Sequence, residues 1–404
     1  MTVWSNQQQQ ALDLGRRWLD APAGSVPNVF RLEGWAGTGK TTLAKELYNH
    51  VGGNCLAAAF TGKAASVLTK KGIPATTLHR LIYDYVGNDA EKKLLVLKEE
   101  LKELEDLRIV SRDQALRLEA LRRQVKEVAE QARQPSFLLK ERSDVSGANL
   151  VIIDEHRQLD ERMGSDLMSF GTRVLALGDP AQLGPIRGSS YFADGPPDIT
   201  LTEIHRTAQD NPILRLATIA REGRSLPKGD WGAARVVSKI SAAEALVADQ
   251  ILVGTNAKRR AVNARHRELG GHKTPMPCVG ERLVAMRNDH EMGILNGTVW
   301  VVTQADDQWE PGESTAYIRI RPEEGGTDIG VPCISELFLD DSAQVGWDRG
   351  QHMTFGYAIT THRAQGSEWG SVVVLDDWPR RDSHAAWLYT SITRAQEQLV
   401  VVNF

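Results

Sequence analysis

Cysteine is scarce in this 404-residue chain, with only Cys55, Cys278 and Cys333, widely spaced and odd in number. That excludes a disulfide framework and offers no metal-ligand spacing, and it fits a reducing compartment. No run of about 18 apolar residues is present, and the start, MTVWSNQQQQ, lacks a charged segment followed by an apolar one. Neither a membrane span nor a secretory signal is therefore expected, and the reading is a soluble cytoplasmic protein with no membrane partner. An excess of positive charge is also missing: 48 Lys and Arg stand against 52 Asp and Glu, a net charge of −4. Any binding of nucleic acid must then use a local groove rather than bulk attraction. No solenoid-length repeat and no long low-complexity tract occurs.

What is present is soluble globular composition, 41% hydrophobic and 25% charged, in a chain long enough for two or three cores. The segment FRLEGWAGTGKTTLAKEL, Phe30 to Leu47, sets an apolar strand against a glycine cluster and a helix-forming run. Its Gly34, Gly39, Lys40 and Thr41 fit G-x-x-x-x-G-K-[ST]. Glycines let successive amide N–H groups point into one concavity, and the following helix adds the positive end of its dipole. Gly37, Thr38, Gly39, Lys40, Thr41 and Thr42 are thus the expected phosphate cradle of a nucleoside triphosphate.

Such a ligand needs Mg²⁺ across its outer phosphates, so a carboxylate should wait at the end of a second buried strand. ANLVIIDEHRQLD supplies it. Leu150 to Ile153 run without polar interruption, as in a strand covered on both faces, and Asp154 and Glu155 follow. Asp154, with Thr41, is expected to hold the metal, and Glu155 to orient or deprotonate the attacking water. Further polar groups stand at other strand ends. Gln182 follows the strand in LALGDPAQLGPI, Arg206 lies in LTEIHRT, and Arg394 precedes the last strand in LYTSITRAQEQLVVV. The two arginines are placed to act as fingers on the triphosphate.

Short apolar strands alternating with helical stretches predict an α/β fold with parallel sheets. Two segments break the alternation. Over 89–135, Leu94, Leu97, Leu101 and Leu104, then Leu118, Leu121, Val125, Val128 and Ala132, step by three and four, which predicts an antiparallel helical hairpin with Ser111 as N-cap of its second arm. The hairpin is read as a solvated insertion or as an arm for a protein partner or nucleic acid. Over 275–345, short alternating strands predict a small β-barrel or sandwich inserted in the second α/β unit.

In order, NQQQQAL, GWAGTGKTT, AAFTGKAASVL…ATTLHRL, VIIDEHRQLD, LGDPAQLGPI, LTEIHRT, YAITTHRAQGSEW and LYTSITRA resemble the motif set of superfamily 1 helicases, most closely the RecD/Dda branch. The P-loop is generic, whereas THRAQGSE followed by YTSITRA is far more specific. The resemblance spans nearly the whole chain and implies two RecA-like domains with ATP in the cleft between them. The first is expected at 1–195 and the second at 196–274 and 346–404, with a small SH3-like barrel at 275–345. It further implies an ATP-dependent, monomeric 5′→3′ translocase or helicase on single-stranded DNA, gripped through its phosphates. By the same resemblance, Gln8 would recognise adenine, with the neighbouring glutamines left open. Gly366 and Glu368 would join the nucleotide site, and Gln182, Arg206 and Arg394 would sense the γ-phosphate. Thr61, Lys63, His79, Thr361 and His362 would face DNA.

The chain departs from that pattern where His156 and Arg157 replace a small residue and a serine after the Asp-Glu pair. A bulky cation there has two partners open to it, a phosphate or a nearby carboxylate. Phe60 and Gly184 stand in place of prolines, and the hairpin stands where relatives carry a short β element that splits duplex. A hydrolysis-deficient, ATP-switched DNA-binding protein is the alternative reading, and a P-loop ATPase acting on protein or RNA is a third.

Overall fold

The computed structural model describes residues 4–403, apart from 87–92, 94–95, 98–99, 102–103, 105–111, 133–135, 185–188, 194, 204–209, 290–291, 324, 344 and 346–348. Two six-stranded sheets and one five-stranded sheet dominate it.

The first sheet runs in the order Thr76–Thr77, Cys55–Ala59, Leu150–Asp154, Val174–Gly178, Val29–Gly34, Ile199–Leu201, all parallel. Parallel strands joined by helical crossovers are covered on both faces, and the side chains show it. Leu150 and Ile152 join one buried cluster with Leu43 and Leu47 of the P-loop helix, while Val151 and Ile153 join another with Leu78, Ile82 and Leu167. This is why the run lacks a polar residue until Asp154. Ile199–Leu201 pairs with Val29–Gly34, so the first sheet extends past the expected division at 195.

The second sheet is ordered Ala358–Thr360, Gln250–Val253, Trp369–Leu375, Ala395–Val402, Ala234–Val237, Gly229–Asp230, with only the last short strand antiparallel. It too is covered twice. Val372, Val374, Leu399 and Val401 pack against Leu216, Ala220, Leu388 and Ile392, whereas Ile251, Val373 and Val402 form a separate cluster on the other face.

Between its strands lies an antiparallel sheet ordered Ile329–Ile334, Thr315–Pro322, Val299–Gln304, Arg282–Ala285, Met353–Phe355. It has one dry face: Ala316, Ile318 and Ile320 are buried, and the intervening Tyr317, Arg319 and Arg321 are exposed. An isolated bridge between Cys333 and Gln351 brings the two ends of the sheet together. Met353–Phe355 carries the sheet beyond residue 345. At its edge, His272, Cys278 and Glu281 cluster, but the Glu281 carboxylate accepts from Arg267 Nε at 2.7 Å and Nη2 at 2.9 Å. The guanidinium already neutralises the acid that a cation would need.

For the expected hairpin, the described residues give a helix at Arg112–Ala132, with Leu121 and Val128 buried, and an antiparallel ribbon of Tyr83–Val86 on Ser136–Leu139 at its base. Much of the first arm, and Ser111, lie outside the described residues.

Candidate nucleotide site

The loop after Val29–Gly34 turns through Gly37 and Gly39, at φ +79° and +87°, and passes into the helix Lys40–Val51. Both angles lie in the left-handed region that a side chain disfavours, so glycine is what allows the turn. Lys40 folds over the loop, its Nζ donating to Gly34 O at 2.6 Å and Trp35 O at 3.1 Å. Thr38 is buried, and its hydroxyl donates to Trp35 O at 2.8 Å, which makes it a brace of the loop rather than part of the cavity wall.

The loop opens on a cavity of about 390 Å³ lined from both large sheets. Gly37, Gly39, Lys40, Thr41, Thr42, Asp154, Glu155 and Gln182 come from the first, and Gly366, Glu368 and Arg394 from the second. Residues as far apart in sequence as Ala36 and Arg394 therefore meet. Gly366 makes the approach possible: a Cβ there would lie 2.5 Å from that of Ala64, at φ +75°.

Asp154 and Glu155 carry the site's electrostatics. Burial raises the Asp154 pKa, opposed by Lys40. Burial pushes Glu155 up to about 7, against the pull of Arg394. Glu155 is also the only non-glycine residue at positive φ among the described residues, at +54°. A strained carboxyl poised near neutral pH fits a general base. The Thr41 hydroxyl and the Asp154 carboxylate line the same cavity, the oxygen donor set that Mg²⁺ prefers.

His156 and Arg157 do not enter this cavity. Arg157 Nη2 donates to Glu33 Oε1 at 3.1 Å, and His156 Nε2 lies 3.5 Å from the same oxygen. Burial opposes ionisation of Glu33, but His156 and Arg157 together hold its carboxyl below the ordinary value. Of the two partners the sequence left open for a cation here, the carboxylate is the one present.

Other expected residues fall elsewhere. Gln8 is buried and does not line the cavity. Its Nε2 donates to Thr38 O at 3.0 Å and its Oε1 accepts from Ser5 N–H in a capping box. It braces the loop from behind. Arg206 lies outside the described residues. Thr361 is corrected as a DNA-facing side chain: it is fully buried, with its hydroxyl paired to Ser391 Oγ at 2.8 Å. Thr61 caps the helix Gly62–Lys70 by accepting from Ala64 N–H, with Lys63 beside it, half-buried. His79 is held between Phe60 and Tyr83, and His362 against Trp378, and burial lowers the pKa of both imidazoles.

Lys71 and Asp179 line the cavity without having been expected. Asp179 stands three residues before Gln182 in a motif already quoted, and its Oδ1 accepts from Ala181 N–H, shaping the Gln182 turn. Lys71 comes at the end of a helix, where a surface lysine is commonplace and nothing in the sequence marks it.

Two covered parallel sheets whose facing ends enclose a glycine-lysine loop, a buried acid pair and an arginine define a P-loop nucleotide-binding protein. The chain belongs to the family described as AAA domain, whose model matches residues 16–244, and residues 355–402 match the UvrD-like helicase C-terminal domain. Both matches agree with the resemblance to superfamily 1 helicases carried by the motif order. The ATP-dependent RecD2 DNA helicase of Deinococcus radiodurans is 27% identical over 284 residues, covering 62% of this chain and 36% of that relative. The chain thus spans little more than a third of that protein's length. The fold is shared with Bacteroides Pif1 bound to single-stranded DNA, at TM-score 0.55 and 19% identity, over 100% of this chain and 93% of that one. Pif1 helicase from Candida albicans matches at TM-score 0.51 and 16% identity, over 100% and 95%. Among the described residues, no helix is long and apolar enough to cross a membrane.

Proposed function

We propose that this chain is an ATP-dependent motor that moves 5′→3′ along single-stranded DNA and unwinds duplex. The observation that carries the reading is the cavity itself, where the Lys40 loop and the Asp154–Glu155 pair face Arg394 from the other sheet. A nucleotide held there contacts both sheets, so its binding and hydrolysis change how they sit together, and two sheets that alternate their hold on a strand ratchet along it. The RecD2 and Pif1 likenesses support this reading.

In this reading the two large sheets are the cores of two RecA-like domains, the first running past 195 to Leu201 and the second formed from the rest of 196–274 with 356–404, and the antiparallel sheet, which runs past 345 to Phe355, is a small SH3-like barrel. The segment 89–135 is a helical hairpin that meets duplex or a protein partner. Lys40 and the loop amides would hold the phosphates, and Thr41 and Asp154 would hold Mg²⁺, which when bound would offset phosphate charge. Glu155 takes the proton of the attacking water, Arg394 and Arg206 offset transition-state charge, and Gln182 reads the γ-phosphate. Thr61, Lys63, His79 and His362 contact DNA phosphates and sugars, giving grip without sequence preference. The protein works as a cytoplasmic monomer.

The competing reading, a switch that has lost turnover, rested on His156 and Arg157. Their engagement with Glu33, outside the cavity, supports turnover over the switch. Steady-state ATP hydrolysis with and without single-stranded DNA tests the proposal. Strong stimulation, abolished by Lys40→Ala and Glu155→Gln, is expected; ATP-dependent DNA binding without turnover would overturn it in favour of the switch.

A further inference from the structure

We infer that the Tyr389 hydroxyl, with Arg221 beside it, is the pin through which the second module sets the position of Arg394 against the P-loop. The inference rests on the ATP-turnover reading above. Tyr389 lies in the helix His384–Ile392 and is 1% exposed, yet its hydroxyl belongs to the other module's hydrogen-bond network. The amide of Ala36, in the P-loop, can only donate, and it does so to the tyrosine oxygen at 2.8 Å. The phenolic proton therefore goes to Asp179 Oδ2, 2.6 Å away. One hydroxyl ties together the P-loop, the turn that carries Gln182, and the helix that leads into Arg394.

That helix transmits position because Arg394 is held to it: Arg394 Nε donates to Thr390 O at 3.0 Å, and Thr390 Oγ1 accepts from Leu183 N–H at 3.0 Å. A second contact runs beside the first. Arg221, the last residue of the helix Pro212–Arg221, sets its guanidinium 3.3 Å from the centroid of the Trp35 ring. Trp35 is the residue whose carbonyl accepts from both Lys40 and Thr38. The two gripping helices share one core through Leu216, Ala220, Leu388 and Ile392, so they move as a unit. Both contacts take hold of residues 35 and 36, at the start of the loop and the edge of the cavity, and leave Gly37, Gly39, Lys40 and Thr41 to face a ligand. The second module thereby senses the shape of the loop without occupying the phosphate site.

Tyr389→Phe keeps the buried ring and removes only the hydroxyl. The test measures ATP turnover at saturating single-stranded DNA, dissociation constants for ADP, and thermal melting, for wild type, Tyr389→Phe, Asp179→Asn and the double variant. A positioning role predicts kcat lowered at least about tenfold in Tyr389→Phe, with ADP affinity within about threefold and the melting temperature little changed, because misplacement of a transition-state group costs rate before binding. The double variant should be no slower than the slower single one, since both break the same bond. Arg221→Lys, which keeps the charge but loses the planar stack, should lower kcat in the same sense. An active wild type beside a Tyr389→Phe variant of unchanged kcat, or one whose loss follows ADP affinity alone, overturns this inference and leaves the function standing. A wild type without turnover overturns both.

Discussion

Arg157 turns its guanidinium onto Glu33, Nη2 to Oε1 at 3.1 Å, and so places the cation that follows the Asp154–Glu155 pair behind the P-loop strand rather than over the nucleotide cavity. Glu33 is the last residue before Gly34, and its side chain is 7% exposed. The pair ties the strand that enters the P-loop to the turn that leaves the acid pair.

Its removal should therefore act on stability first. Arg157→Ala leaves a buried carboxylate with only His156 near it, and is expected to cost on the order of 1–3 kcal/mol, given that Arg157 is itself partly exposed. Arg157→Ala with Glu33→Gln should recover part of that. Denaturant melts of the three variants measure it, and ATP turnover per folded molecule should change less than turnover in Lys40→Ala.

Glu155 makes turnover pH-dependent. With its pKa raised to about 7, the base form is the minority at pH 6, so kcat/KM should rise about tenfold per unit below neutrality and level off above it. The sign for stability is opposite. A carboxyl whose folded pKa exceeds its unfolded one binds its proton more tightly when folded, so stability falls as pH rises from the ordinary carboxylate range to about 7, and is then flat. Glu155→Gln should abolish turnover and, at pH 8, be more stable than wild type by on the order of 1–2 kcal/mol in a thermal melt.

The expected DNA contacts separate by burial. Lys63→Ala should weaken single-strand binding and reduce the slope of log K against log salt by about 0.7, the share of one phosphate contact. Thr361→Ala should leave that slope unchanged and instead cost about 1 kcal/mol of stability, through the lost pairing with Ser391. Fluorescence-anisotropy titrations at several salt concentrations distinguish the two.

Gly366 sits at a close approach between the modules. Gly366→Ala adds a Cβ 2.5 Å from that of Ala64 and strains a residue at φ +75°. The contact spans the cavity, so the apparent KM for ATP should rise several-fold, while the first sheet, cored separately, keeps its own melting behaviour.

By itself the sequence determined the parts that depend on local order. The P-loop was legible because glycines, lysine and threonine act at fixed spacing, and Asp154 and Glu155 because a doubly covered strand has no polar residue until its end. The alternation around Ala316, Ile318 and Ile320 marked a one-sided sheet for the same kind of reason. Tertiary structure decided what depends on direction and distance. That Arg157 faces Glu33, that Thr361 faces Ser391, and that Gln8 spends both ends of its amide on Ser5 and Thr38 follow from how neighbouring elements pack, which no spacing encodes. Tyr389 stood in view within LYTSITRA, yet its hydroxyl meets Ala36 and Asp179, 353 and 210 positions away along the chain, only once two sheets have closed on one cavity.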